Sequence, residues 1–128
     1  MKAADPHLPG PAPIEAYGSG GFRFAGMSHR GSLLCLPNGI WASPVTSAGE
    51  IDEAVLALAL KPATPEAAVD HFLIGTGKDL LAMPAPLREA FRARRIVLES
   101  MSTGAAVRTY NILLGERRRI GALLVAVD

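Results

Sequence analysis

The chain has almost no sulfur chemistry to offer. Its single cysteine, Cys35, closes no internal disulfide and supplies no thiolate zinc cluster. It lies in the apolar stretch "LLCLP", where a thiol is expected to be inert packing. Aromatic residues are scarce, at 5% of the chain, so the core is expected to be aliphatic. An excess of either charge is also missing: 13 Lys and Arg face 12 Asp and Glu, a net charge of +1. That balance gives no global pull toward nucleic acid or anionic lipid, and a nucleic-acid partner is not expected. No apolar run approaches the roughly 20 residues needed to span a bilayer, so an integral membrane protein is not expected. The opening "MKAADPHLPGPAPIEAYG" has neither a signal-peptide h-region nor the Arg-rich, amphipathic character of a transit peptide. A cytoplasmic location, reducing and compatible with a lone thiol, is expected.

Catalytic and metal-binding constellations are missing in the same way. The three histidines, His7, His29 and His71, are scattered, with no HxxxH or CxxC, so neither a metal nor another cofactor is expected. A nucleophile could be assembled from Cys35, Ser28 or Ser32 with one of the histidines, but no GxSxG elbow exists. Only "MSHRG", residues 27–31, reads as a loop carrying polar groups, and its His29 and Arg30 are more simply solvated or bonded to local carbonyls. No catalytic residue is assigned.

What is present is an alternation of elements. At 128 residues the chain is one domain, long enough to bury about two-thirds of its unfolded surface. Four of the ten prolines fall within residues 1–13, which predicts an extended, flexible arm ahead of a domain over 14–128. Ile14–Tyr17 and Phe22–Phe24 read as strands around a Gly-Ser-Gly-Gly turn, with Ser32–Leu36 and Ile40–Ala42 as a second pair around Pro-Asn-Gly. Further on, a helix is predicted over Ile51–Leu60, a strand over Val69–Ile74 and a helix over Leu87–Arg94. A strand over Ile96–Glu99, a helix capped by Ser102 or Thr103 and running to Gly115, and a strand over 119–127 complete the series. Strand–helix alternation predicts an α/β, three-layer domain: a mixed sheet flanked by helices, with an N-terminal antiparallel portion.

The motif that invites chemistry is "HFLIGTGKDLLAMP", residues 71–84. A Walker A loop requires GxxxxGK followed by Ser or Thr, and here Phe72 stands where its first glycine belongs and Asp79 follows Lys78. The dinucleotide fingerprint fails as well, since Leu80 occupies the third glycine position. Gly75 and Gly77 are therefore read as backbone freedom at a strand exit. The alternative is a small anion or ligand meeting that loop. On the last helix Ala106, Tyr110, Leu113 and Leu114 form the sheet-facing stripe, while Gly104, Arg108, Asn111 and Gly115 form another. Glycine inside a helix costs about 0.8–1 kcal/mol relative to Ala, so Gly104 predicts close approach by another group. Arg108 and Asn111 are the candidates for specific polar contacts, or for ties to neighbouring loops. The candidate pocket is thus Gly75, Thr76, Gly77 and Lys78 with Met101, Ser102, Thr103, Arg108 and Asn111. Arginine clusters at Arg92, Arg94 and Arg95 and at Arg117–Arg119 suit helix C-termini, or else an acidic protein patch.

Taken together, "YGSGGFRFAGMSHRGSLLCLPNGIWAS", "FLIGTGKDLLAMP" and "ESMSTGAAVRTYNILLGERRRIGALLVAV" resemble the domain-of-unknown-function family 498, also called the MTH-938-like domain. The resemblance spans about Ile14 to Val127 and rests on Met101, Thr103, Thr109-Tyr110-Asn111, Leu113, Glu116 and Arg118. It implies a three-layer domain and carries over no catalytic residues. It also implies links to assembly: one mitochondrial branch is similar to an assembly factor for respiratory complex I, another relative is linked to adipogenesis, and bacterial members tend to be encoded beside protein-export genes. The expected function is a non-catalytic interaction or assembly module, linked to membrane-protein or respiratory-complex biogenesis. The alternative is a small anionic-metabolite binder or an undescribed enzyme using the pocket at the GTG loop.

Overall fold

The computed structural model of the chain describes residues 5–128. Its strands are β1 (Ile14–Gly18), β2 (Gly21–Phe24), β3 (Met27–Arg30), β4 (Ser32–Leu36), β5 (Gly39–Ser43), β6 (His71–Gly75), β7 (Val97–Met101) and β8 (Ile120–Leu124). Three α-helices accompany them: α1 (Ala57–Leu60), α2 (Ala85–Ala93) and α3 (Thr103–Gly115). The first three strands form a small antiparallel sheet, and the other five form a mixed sheet in the order β5-β4-β8-β6-β7. Within the larger sheet β6 is parallel to both β8 and β7, while β4 is antiparallel to its two neighbours.

The layers follow from side-chain alternation and chain handedness. Leu34, Leu36, Phe72, Ile74 and Leu123 point to one face of the large sheet and pack against Leu87 and Phe91 of α2. Leu33, Cys35, Leu73, Ala122 and Leu124 point to the other and meet Ala106 and Tyr110 of α3. The small sheet shares that second face through Ile14, Phe22 and Phe24. From β6 the chain crosses outward to β7, and from β7 it crosses back past β6 to β8. Right-handed crossovers in opposite directions require helices on opposite faces, which is where α2 and α3 lie. The predicted three-layer α/β arrangement is therefore the one observed.

Two local expectations are corrected. The segment "MSHRG" is not a loop: residues 27–30 form β3, joined to β2 by the two-residue turn Ala25-Gly26 with φ of 50° and 74°. It was illegible because β3 edges a sheet with a solvated face, so its residues show no apolar alternation. The predicted helix over 51–60 closes only at α1. Upstream, the Val55 N–H bonds the Asp52 carboxylate (2.9 Å) and the Ala57 N–H bonds the Ala54 carbonyl (3.3 Å), so no continuous i−4 ladder forms. Of the arm predicted over residues 1–13, residues 1–4 lie outside the described residues. Further along it, the His7 N–H donates to the Ile40 carbonyl (2.8 Å) and the Ile40 N–H donates to the Leu8 carbonyl (3.0 Å).

Candidate functional site

The parallel strands β8, β6 and β7 end side by side, and their carboxyl ends carry the GTG loop, the Met101–Thr103 turn and the 125–128 segment. Crevices at such ends are where ligands meet α/β sheets. Here a cavity of about 620 Å³ opens there, lined among others by Tyr17, Thr46, Lys78, Ser102, Gly104 and Val127.

One side chain holds its floor together. Thr103 is fully buried; its Oγ1 accepts from the Gly77 N–H (2.9 Å) and donates to the Val125 carbonyl (2.7 Å). Its own N–H donates to the Gly77 carbonyl (2.8 Å). The first residue of α3 thus joins the ends of β6 and β8. Gly75 must lack a side chain because a Cβ there would lie 2.9 Å from the Thr103 Cα. Gly77, at φ +104°, takes a conformation that L side chains rarely adopt. The Thr76 N–H is spent on the Met101 carbonyl (2.8 Å). Thr76 Oγ1 donates to the Asp79 carbonyl (2.6 Å) and accepts from the Leu81 N–H (3.1 Å), which braces the following loop from within. The Thr76 and Gly77 amides are thus occupied within the fold, which takes both out of the set of donors the loop could offer a ligand.

Lys78 and Asp128 are the charged residues of the lining, one of each sign. Ser102 caps α3, its Oγ accepting from the Ala105 N–H (3.4 Å). Next to Thr46 and Ser47, which also line the cavity, Glu50 receives the Thr46 hydroxyl (2.5 Å), the Thr46 N–H (3.1 Å) and the Ser47 hydroxyl (3.2 Å). Those donors, the Thr46 hydroxyl first, hold its carboxyl below the usual range.

Of the nine residues singled out in the sequence, Thr76, Gly77, Lys78 and Ser102 line the cavity, and Gly75 and Thr103 are buried beneath it. Met101 supplies the carbonyl that anchors Thr76. Arg108 and Asn111 lie outside the lining. Asn111 instead accepts the Ile14 N–H on Oδ1 (2.8 Å) and donates Nδ2–H to the Ile14 carbonyl (2.9 Å), tying the small sheet to α3 as a strand neighbour would. The close approach predicted at Gly104 comes from Tyr17, whose hydroxyl would lie 2.4 Å from a Cβ there. Sequence reasoning missed Tyr17, Thr46, Ser47 and the 125–128 segment, which reach the cavity only through long-range pairing. It also passed over Leu80 and Leu81, exposed by 66% and 50% on the loop that Thr76 braces. An adjacent apolar pair between a charged turn and Pro84 was the available signal.

Of the candidate nucleophiles, Cys35 is packed into the core. Cys35 is fully buried in β4 and burial pushes its thiol up to about 12. Its polar neighbour is the Tyr110 hydroxyl, which is itself buried without a well-formed hydrogen bond and is raised in pKa by desolvation. His29 faces His7, with ring centroids 5.2 Å apart, and burial lowers its pKa. Among the described residues, no group of three or more His, Cys, Asp or Glu could hold a metal ion, and no helix is long and apolar enough to cross a membrane.

Relatives share the whole domain. The chain is similar to an uncharacterised protein of Rhodobacter capsulatus, 39% identical over 125 residues, or 98% of this chain and 93% of that one. Among solved structures, a Bartonella henselae protein described as an outer membrane protein is 48% identical with a TM-score of 0.86, over 95% of this chain and all of that one. A Bordetella pertussis protein described as a Mth938-like domain is 25% identical with a TM-score of 0.78, over 98% of this chain and 92% of that one. The family "Protein of unknown function (DUF498/DUF598)" matches residues 14–125. With the three-layer fold, the shared topology and that match, the chain belongs to the DUF498/DUF598 family.

Proposed function

We propose that the protein is a non-catalytic interaction module of the cytoplasm that serves the assembly of protein complexes, membrane-protein or respiratory complexes among them. The observation that carries this reading is the 76–84 loop. It is braced internally by Thr76, yet it holds Leu80 and Leu81 out in water. Burying a leucine side chain is worth about 1.5–3 kcal/mol, so a rigid loop that leaves two exposed is suited to a partner that covers them. The saturated hydroxyls of Thr76 and Thr103 and the neutral lining favour this over chemistry in the cavity.

A photoreactive residue at position 80, in the full chain expressed in its own cells, tests the reading. A discrete cross-linked species is expected, missing when the probe stands at exposed Glu53. Uncross-linked chain at both positions would refute it. The second reading, a small anionic ligand, rests on Lys78 and Ser102 at one cavity. A thermal-shift screen of anionic metabolites checks it, because 100-fold excess over Kd adds about 2.7 kcal/mol.

A further inference from the structure

The two ends of the large sheet are treated differently. At β5, the chain before β1 pairs with Ile40 through His7 and Leu8. At the other end, the one ladder of β7 among the described residues is with β6. The Val97 N–H donates to the Asp70 carbonyl (2.9 Å) and the Met101 carbonyl accepts from the Thr76 N–H (2.8 Å), so these residues turn their amides inward. By the alternation of a parallel ladder, Leu98 and Ser100 turn their N–H and C=O groups outward. Proteins blunt such an edge with proline, a bulge or a projecting charge. β7 has no proline, and its register with β6 is unbroken. Its one charge, Glu99, is drawn back to His71 at 3.0 Å. Val97 remains 56% exposed.

Beside this edge, on the α2 face, runs a groove of about 390 Å³ lined by Arg88, Arg92, Arg95, Ile96, Val97 and Leu98. Arg92 has an acidic partner, Glu89, at 3.1 Å. Arg88 leans on the Met83 carbonyl (3.2 Å), which leaves its charge uncompensated. The groove is therefore cationic beside a strand edge with unpaired backbone groups.

We propose that β7 is a strand-addition site for an extended segment of a partner protein carrying acidic side chains at alternate positions. The outward groups of Leu98 and Ser100 pair with its backbone. Period-two alternation then sends every second side chain to the α2 face, where carboxylates meet guanidinium groups. The intervening positions lie near Val97 and suit β-branched residues. This surface is separate from the Leu80–Leu81 loop and stands whether or not that loop docks a partner.

The probe is a fluorescein-labelled peptide, Thr-Glu-Val-Glu-Val-Glu-Thr, compared with the peptide bearing Lys in place of Glu. Anisotropy should show saturable binding at least about tenfold tighter for the Glu peptide, weakening as salt rises from about 0.05 to 0.5 M. The double variant Arg88→Glu, Arg92→Glu should lose about tenfold in affinity or more. Arg30→Glu with Arg108→Glu makes the same charge change on the opposite face and should bind like the parent. Hydrogen exchange at saturation should protect the Leu98 and Ser100 amides and leave Glu99 unchanged. Ser100→Pro removes an outward donor while sparing the arginines, and should abolish that protection. Equal binding of both peptides, equal losses in the two charge variants, or no saturation at millimolar peptide would overturn the proposal. So would binding without protection at Leu98 and Ser100, or a sedimentation dimer that buries the edge against a second copy.

Discussion

Replacing Thr103 by valine is the sharpest probe of how the site is held. The two side chains have nearly the same shape, so packing is preserved while one hydroxyl is lost. That hydroxyl accepts from the Gly77 N–H at 2.9 Å and donates to the Val125 carbonyl at 2.7 Å, and the residue is fully buried. Each buried group left without its partner costs about 1–3 kcal/mol. The Gly77 carbonyl keeps its bond to the Thr103 N–H, which limits how far the loop can turn to find water. A loss of about 2–4 kcal/mol is expected, a large part of the 5–15 kcal/mol typical of a domain. Thr103→Ser retains the hydroxyl and gives up one methyl, for about 0.5–1.5 kcal/mol. Urea unfolding of both variants should show a lower midpoint for valine at an unchanged m-value, and hydrogen exchange should show Gly77 losing protection in valine but not in serine. Equal stability of the two variants, or a valine variant as stable as the parent, would refute the assignment of Thr103 as the tie between β6, β8 and α3.

Asn111→Ala removes both bonds to Ile14, so stability should fall by about 2 kcal/mol and the Ile14 amide should exchange freely by NMR. Asn111→Asp retains the acceptor and loses the donor, and should fall between. For Cys35, the folded thiol titrates near 12 against an unfolded value near 9, so the folded state holds its proton while the unfolded chain releases it. Stability should therefore be unaffected below about pH 8 and fall as pH rises through 9, approaching about 1.4 kcal/mol per pH unit by about pH 10, a decline that Cys35→Ala removes. Tyr110, raised in the same direction, extends the decline above its ordinary value. In the native state Cys35 should react with thiol reagents only at the rate of unfolding.

Much of this architecture was legible one segment at a time. The Gly-Ser-Gly-Gly and Pro-Asn-Gly turns, the Ser102 cap and the 3.6-residue stripe of α3 are local features, and each stands where the residues place it. The short α1 and the solvated strand β3 were obscured, because in both a local pattern yields to contacts made elsewhere in the chain. That the glycine loop departs from the Walker A and dinucleotide spacings is legible in the residues alone. Its actual constraint, the Thr103 Cα packed beneath Gly75, depends on strands 26 residues or more apart in sequence being neighbours.

The division has a physical basis. Period, turn chemistry and capping act over a few residues, so the amino-acid order determined most of the elements and the family to which the chain belongs, while the expected aliphatic core also takes in all four phenylalanines and Tyr110. Sheet order is decided by long-range pairing and crossover handedness. Only the tertiary structure therefore brought Tyr17, Thr46 and the 125–128 segment to one cavity. It alone turned Asn111 away from that cavity to pair with Ile14, and left Leu80, Leu81 and the β7 edge facing water.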